Sequence, residues 1–264
     1  MNQFNKICVL GLGYIGLPTA SIFAKGGLDV FGVDIKSSVV ETLNGGEIHI
    51  HEPGLRHLFK EVLLSGRLKI GTKPQPADAF IISVPTPFKD GKKADLRAIK
   101  AAAESIIPVL RKGNLVILES TSPPNTTKDI IAPILERSGL KSGSDFYLAY
   151  SPERVLPGKI IKEMVENDRV VGGVNPESAQ AAYDLYSRIV RGTIYQTDAT
   201  TAEMVKLMEN SYRDVNIAIA NEFSRLADRF GVDVWDAIPL ANRHPRVDIL
   251  KPGPGVGGHC ISVD

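Results

Sequence analysis

Cysteine is scarce in this 264-residue chain: Cys8 and Cys260 stand near opposite ends, and Cys8 lies inside an apolar run. Two such residues exclude a disulfide framework and point to a reducing compartment. Charge of one sign is lacking too. The 31 basic and 30 acidic residues are interspersed and leave a net charge of +1, so no broad basic surface for nucleic acid is expected. No apolar run approaches the ~20 residues needed to span a bilayer, and the N-terminus lacks the apolar stretch of a signal peptide. The expectation is a cytoplasmic protein without a membrane segment. Of the five histidines only His49, His51 and His57 cluster. They have no cysteine partners and no HExxH frame, so no metal site is expected. Internal repeats and low-complexity tracts are missing as well.

What is present begins with Lys6 to Leu10, a short β-rich apolar run followed at once by Gly11-Leu-Gly13-Tyr-Ile-Gly16 and a helical pattern to about Lys25. Strand, glycine turn and helix are the context a dinucleotide fingerprint requires. Gly11 permits the turn, Gly13 lets backbone approach a pyrophosphate, and Gly16 lets helix pack on strand. A second strand, Asp29 to Val33, ends in Asp34, about the expected distance downstream for a carboxylate on the adenosine ribose. That acid repels a 2′-phosphate and favours NAD over NADP, although Lys36 nearby leaves the second open.

Further apolar runs at Ala79 to Val84, Leu115 to Leu118, Phe146 to Tyr150, Arg169 to Gly172 and Thr193 to Gln196 alternate with helical segments. The alternation predicts a Rossmann-like α/β fold, a doubly wound, mainly parallel sheet. Thr86, Thr121 and the pair Glu153-Arg154 fall just past strand ends, where ligands of such sheets gather. Each threonine can equally cap a turn. Glu153 and Arg154 can serve as base and anion clamp or form a solvated pair. Asp95 and Asn175-Pro176 read as helix starts.

From Thr200 to Phe230 runs the longest helical pattern, with Thr200 and Glu203 as a capping box and Gly231 as its stop. Val205, Met208, Tyr212, Val215, Ile219, Phe223 and Leu226 mark one apolar face. A rod of roughly 45 Å at ~1.5 Å per residue is too long for one small core, so it is expected to pack on a second domain or a second subunit. The expected division is 1–198, dinucleotide-binding, and 199–264, the long helix and the start of a helical dimerisation domain. Lys206, Asn210 and Arg213 share another stripe, facing either a site or solvent. Arg243, His244 and Arg246 then suit phosphate or sugar hydroxyls. The last twelve residues, PGPGVGGHCISVD without its first proline, place Cys260 on a glycine-rich turn. There it is either a reactive thiol or a small buried hydrophobe. If a helix starts at Cys260, its N-terminus favours thiolate and Asp264 shares the sulfur's face. His259, next in the chain, points elsewhere.

The segments GLGYIGLP, GEIHIHEPGL, SVPTPF, ESTSPP, YSPERVLPG, TAEMVKLMENSYRDVNIAIANE, ANRHPRV and PGPGVGGHCISVD together resemble the nucleotide-sugar 6-dehydrogenases, the UDP-glucose/GDP-mannose dehydrogenase family, along the whole chain. Members acting on UDP-glucose carry a pattern like GFGGSCFPKD around the nucleophile. Gly-His-Cys-Ile resembles the branch acting on 2-acetamido sugars, and RHPRV tilts it toward UDP-N-acetylmannosamine, with the glucosamine and galactosamine epimers as neighbours and a UDP-GlcNAc or UDP-glucose 6-dehydrogenase of the same family as the alternative. The resemblance implies a four-electron oxidation of the sugar's primary alcohol to a carboxylate with two NAD in turn, through a thiohemiacetal and a thioester on Cys260, for surface polysaccharide biosynthesis. By the same carry-over Lys206 and Asn210 stabilise an oxyanion, Asp264 and Thr121 hold water, and Glu153 accepts its proton. Tyr14, Ile15, Asp34, Thr86 and Thr121 contact NAD. Arg154, Val155, Arg213, His244, Arg246 and Gly257 contact the nucleotide sugar, and the long helix 200–230 implies a homodimer. Family members continue with a UDP-binding domain, so the 264 residues alone are expected to bind NAD and turn over little substrate. Two other readings stand beside this one: a β-hydroxyacid or 6-phosphogluconate type dehydrogenase, which forms no thioester, and a non-catalytic NAD-binding or dimerisation module.

Overall fold

A computed structural model of the chain describes residues 4–89, 91 and 93–255. Its strands and helices come in the order β1 (Lys6–Leu10), α1 (Gly16–Lys25), β2 (Asp29–Val33), α2 (Ser37–Asn44), α3 (Leu55–Leu64), β3 (Leu68–Gly71) and β4 (Ala79–Ile82). A small antiparallel pair, β5 (Phe88–Lys89) and β6 (Lys93–Ala94), precedes α4 (Arg97–Ile106) and β7 (Leu115–Leu118). A π-helical turn over Thr126–Ile131 runs into α5 (Ala132–Glu136), followed by β8 (Tyr147–Tyr150), α6 (Ile160–Glu166), β9 (Arg169–Gly173), α7 (Pro176–Tyr186) and β10 (Ile194–Asp198). The long helix α8 (Ala199–Phe230) and α9 (Val234–Ala241) complete the elements. Packing divides the chain into a unit over Met1–Met204 and a smaller one over Val205–Asp264.

The main sheet has the order β10-β9-β8-β7-β4-β1-β2-β3. From β3 through β8 neighbours pair in parallel, whereas β9 pairs antiparallel with β8 and β10 follows β9 in parallel. This is the doubly wound, mainly parallel sheet that strand and helix alternation implied. The apolar runs AFII of β4 and LVIL of β7 are buried at every position, as strands covered on both faces must be. Their side chains alternate between two cores. Val9, Ile81 and Ile117 face one side with Leu17 and Phe23 of α1, Phe59 of α3 and Leu185 of α7. Cys8, Leu10, Phe80, Ile82, Val116 and Leu118 face the other with Ile99 and Ile106 of α4 and Leu135 of α5. Truncating any one of these leucines or isoleucines to alanine costs about 2–5 kcal/mol.

Some local readings need correction. The cap of α8 is Asp198, whose carboxylate accepts from Thr201 N at 2.9 Å and Thr201 Oγ1 at 2.5 Å. Thr200 instead donates to Asn125 Oδ1 at 2.8 Å. Glu203 is buried and accepts from Thr127 N and Oγ1 at 2.8 and 2.6 Å, so a long-range tie outcompetes a capping box. Asp95 lies one residue before the N-cap of α4 and grips the Arg97 main chain and guanidinium. Asn175 does cap α7, accepting from Ser178 N at 2.9 Å.

Candidate active site at the carboxyl edge of the sheet

Strand order reverses between β1 and β4, and ligands of open α/β sheets bind at such a point. The glycine turn stands there. Gly11 takes φ +90°, a conformation costly for side-chain-bearing residues, and a Cβ on it would meet the Ser83 carbonyl oxygen at 2.6 Å. A Cβ on Gly16 would lie 1.7 Å from Gly11 O, so the start of α1 must sit directly on the turn. At Gly13 the position of a Cβ is open, with no atom of the described residues within 4 Å. The open position at Gly13, beside the start of α1, fits the pyrophosphate of a dinucleotide at a helix N-terminus. Asp34 at the end of β2 braces the turn: its carboxylate accepts from Leu12 N at 3.1 Å and Lys36 N at 2.9 Å. Tyr14 is exposed and Ile15 half-buried beside it.

Past β4 and β7, Ser120 Oγ donates to Val84 O at 2.7 Å and fastens the two strand ends together. Thr86 and Thr121, both half-buried, stand on these ends. Near these strand ends lies a buried cluster of which the sequence had singled out only Glu153. Glu119 accepts from Ser83 Oγ at 2.5 Å and Tyr186 OH at 2.6 Å. Arg169 Nη1 lies 3.7 Å from Glu119 and donates to Ser151 Oγ at 3.2 Å, while Nη2 meets Glu153 Oε2 at 2.5 Å. The guanidinium also sits 4.3 Å from the centre of the Tyr186 ring. Burial pushes the Glu119 carboxyl up, partly countered by Arg169. Burial opposes the Arg169 charge, yet Glu153, Tyr186 and Glu119 together hold it above the ordinary arginine value.

A close guanidinium partner of Glu153 is Arg169, sixteen residues on. Arg154 gives its main-chain N–H to Glu153 Oε1 at 2.8 Å, and its Nη2 donates to Asp168 O. Arg169 reaches this edge because β9 runs antiparallel to β8, which puts its first residue level with the ends of the parallel strands. A charged residue opening the apolar run RVVGG was the available signal.

The segment 151–159, which carries Glu153, Arg154 and half-buried Val155, is pinned further along. Buried Glu52 accepts from Gly158 N at 2.8 Å and Ile160 N at 2.9 Å, and Glu163 accepts from Leu156 N at 2.8 Å. The motif HEPGL thus acts through its glutamate, while His49, His51 and His57 are not drawn into this network. In the second unit, Lys206 and Asn210 are buried at 8% and 5% exposure, one turn apart on α8. Arg213, His244 and Arg246 are exposed. Gly257, His259, Cys260 and Asp264 lie outside the described residues.

Residues 5–190 match the model of the UDP-glucose/GDP-mannose dehydrogenase family, NAD binding domain, and residues 200–264 match the model of the same family's central domain. The chain belongs to the UDP-glucose/GDP-mannose dehydrogenase family. Its NAD binding domain holds the glycine turn, Asp34 and the Glu119–Arg169–Glu153 cluster, and the central domain begins with α8. Among its relatives in the family, the UDP-N-acetyl-D-mannosamine dehydrogenase of Methanococcus maripaludis is 56% identical over 99% of this chain and 60% of its own. An NDP-N-acetyl-D-galactosaminuronic acid dehydrogenase of Ralstonia solanacearum is 53% identical over 99% of this chain and 64% of its own. The solved UDP-N-acetyl-mannosamine dehydrogenase Cap5O of Staphylococcus aureus is 51% identical, covers 98% of this chain and 63% of its own, and superposes with a TM-score of 0.91. This family member thus spans about 60% of the length of the curated relatives it matches first.

Proposed function

We propose that the protein is a nucleotide-sugar 6-dehydrogenase that takes UDP-N-acetylmannosamine to its uronate with NAD. The observation that carries this reading is the gathering, at the carboxyl edge of one sheet, of a glycine turn left open at Gly13 and a fixed, largely buried carboxylate, Glu153. The 56% identity to a mannosamine dehydrogenase supports the substrate. The 53% identity to a galactosaminuronate enzyme keeps the galactosamine epimer as the second reading. Bound NAD supplies a two-electron acceptor, and the glycine turn with Asp34, Thr86 and Thr121 would hold it.

The chain's own groups do the remainder. Cys260 Sγ adds to the aldehyde carbon and the new thiohemiacetal oxygen, like the substrate alcohol before it, takes hydrogen bonds from Lys206 and Asn210. After the second oxidation the carbon is a thioester. Water held by Thr121 and Asp264 then adds to that carbon, its proton passes to Glu153, and the C–S bond breaks to return Cys260 as thiolate. Arg154, Val155, Arg213, His244, Arg246 and Gly257 hold the sugar nucleotide. The exposed apolar residues Met208, Tyr212, Val215, Ile219, Phe223 and Leu226 along α8 support a homodimer that covers them with a second copy.

The test is an assay of the natural full-length polypeptide with UDP-linked N-acetyl mannosamine, glucosamine and galactosamine. Two NADH per sugar, with mannosamine fastest and nothing from a Cys260→Ser variant, is the expected result. Uronate formation that survives Cys260→Ser would sink the covalent route, and one NADH per sugar would point to the β-hydroxyacid type.

A further inference from the structure

We propose that Arg169 is the positioning residue for Glu153, with Glu119 as its anchor on the side of the glycine turn. This rests on the reading of Glu153 as the group that takes the proton from water. Glu153 stands on 151–159, a segment with neither strand nor helix to fix its side chain. A glutamate there would keep up to ~2 kcal/mol of rotamer freedom, whereas proton transfer needs the carboxylate held within about 0.5 Å of its working place. Arg169 on Oε2, with the Arg154 main-chain N–H on Oε1, removes that freedom. Its own side chain is only 6% exposed, and its guanidinium is held by Ser151 Oγ at 3.2 Å, Glu119 at 3.7 Å and the face of Tyr186 at 4.3 Å. A planar fork so constrained offers Nη2 to Glu153 in a single direction.

Glu119 gives the arrangement its second end. It is 3% exposed and is fixed by Ser83 Oγ and Tyr186 OH. The Ser83 carbonyl, in turn, lies where a side chain on Gly11 would go. The contacts therefore run from Gly11 through Ser83, Glu119 and Arg169 to Glu153, all inside the first unit. A lysine at 169 would keep a cation but lose the planar fork and its stacking on the Tyr186 ring, so it holds Glu153 in no fixed direction.

The experiment uses the natural full-length polypeptide in rapid-mixing runs with NAD and UDP-N-acetylmannosamine, reading NADH and the mass of the peptide carrying Cys260. Arg169→Lys and Arg169→Gln are expected to bind NAD within about threefold of the parent and to form NADH in the first turnover at the parental rate. Thioester hydrolysis is expected to slow about 10- to 100-fold, so that a covalent adduct accumulates on Cys260. Glu153→Gln serves as the reference and should stall at the same stage. If Glu153→Gln hydrolyses normally, the role given to Glu153 fails. If Glu153→Gln stalls while both Arg169 variants hydrolyse at the parental rate, the positioning role of Arg169 is overturned and that of Glu153 stands. Equal losses in NAD binding, first turnover and hydrolysis in Arg169→Lys would show a merely structural arginine and overturn it too. Should Arg169→Gln fail to fold, Arg169→Lys decides.

Discussion

Replacing Gly13 with alanine separates the cofactor reading of the glycine turn from a packing one. A Cβ at Gly13 meets no described atom within 4 Å, and its φ is not in the left-handed range that penalises side chains. The folded protein therefore accepts Gly13→Ala, and the stiffer unfolded chain makes it as stable as the parent or more so by about 0.4–1 kcal/mol. Gly16→Ala is the control. Its Cβ would fall 1.7 Å from the Gly11 carbonyl oxygen, backbone against backbone, which forces the turn or α1 to move and costs about 1–3 kcal/mol or more. The methyl at position 13 instead fills the space a pyrophosphate needs. Losing one charge-assisted backbone hydrogen bond is worth about 1.5–3 kcal/mol, so NAD affinity should fall roughly 10- to 100-fold. Calorimetric titration of the chain with NAD, alongside thermal melts without it, reads both quantities. If Gly13→Ala binds NAD within about threefold of the parent, the turn is not a dinucleotide cradle. If it melts as early as Gly16→Ala, the structural account of the turn is wrong.

Asp34→Ala removes the acceptor for Leu12 N and Lys36 N. It should cost about 1 kcal/mol in stability and narrow the preference for NAD over NADP when both are titrated; an unchanged ratio would show that Asp34 only braces the turn. Burial raises the Glu203 carboxyl above its ordinary 4.5, with the Thr127 hydrogen bonds pulling the other way. Because the folded value exceeds the unfolded one, this carboxyl favours the folded state most below that ordinary value and loses the advantage as pH rises through the raised one. Urea unfolding across that range should be flatter in Glu203→Gln than in the parent, and parallel curves would refute the assignment. Tyr212 and Ile219 are 63% and 42% exposed on the apolar stripe of α8. Changing both to glutamate should leave NAD binding intact and shift sedimentation toward monomer, and an unaltered dimer would place the interface elsewhere.

Much of this was readable in the residues because central strands and nucleotide turns obey local rules. AFII and LVIL announce strands buried on both faces, and Gly11 and Gly16 each meet a separate steric demand of the turn, while Gly13 leaves an open position. The less legible elements are amphipathic or polar. The helix α3 and edge strand β3 follow a loop of histidines and glycines, and β3 is buried fully only at Leu68, so no continuous apolar run marks it. The capping reading of Thr200 and Glu203 failed for a related reason. A capping box is a local rule, and Glu203 answers to Thr127, 76 residues away.

The buried cluster shows where such reading stops and why. Glu153 and Arg154 are neighbours in sequence, and neighbours of opposite charge invite a pair. The geometry of the edge adds a partner from sixteen residues away. With β9 antiparallel to β8, Arg169 enters from the far side of the sheet's end, already surrounded by Ser151, Glu119 and Tyr186. An arginine in such a place cannot be solvated, so its charge must be answered by a carboxylate, and Glu153 at 2.5 Å is the closest. The direction of one strand therefore brings the Arg169 guanidinium to Glu153, and strand direction is a property of the assembled sheet that no spacing within YSPERV or RVVGG encodes.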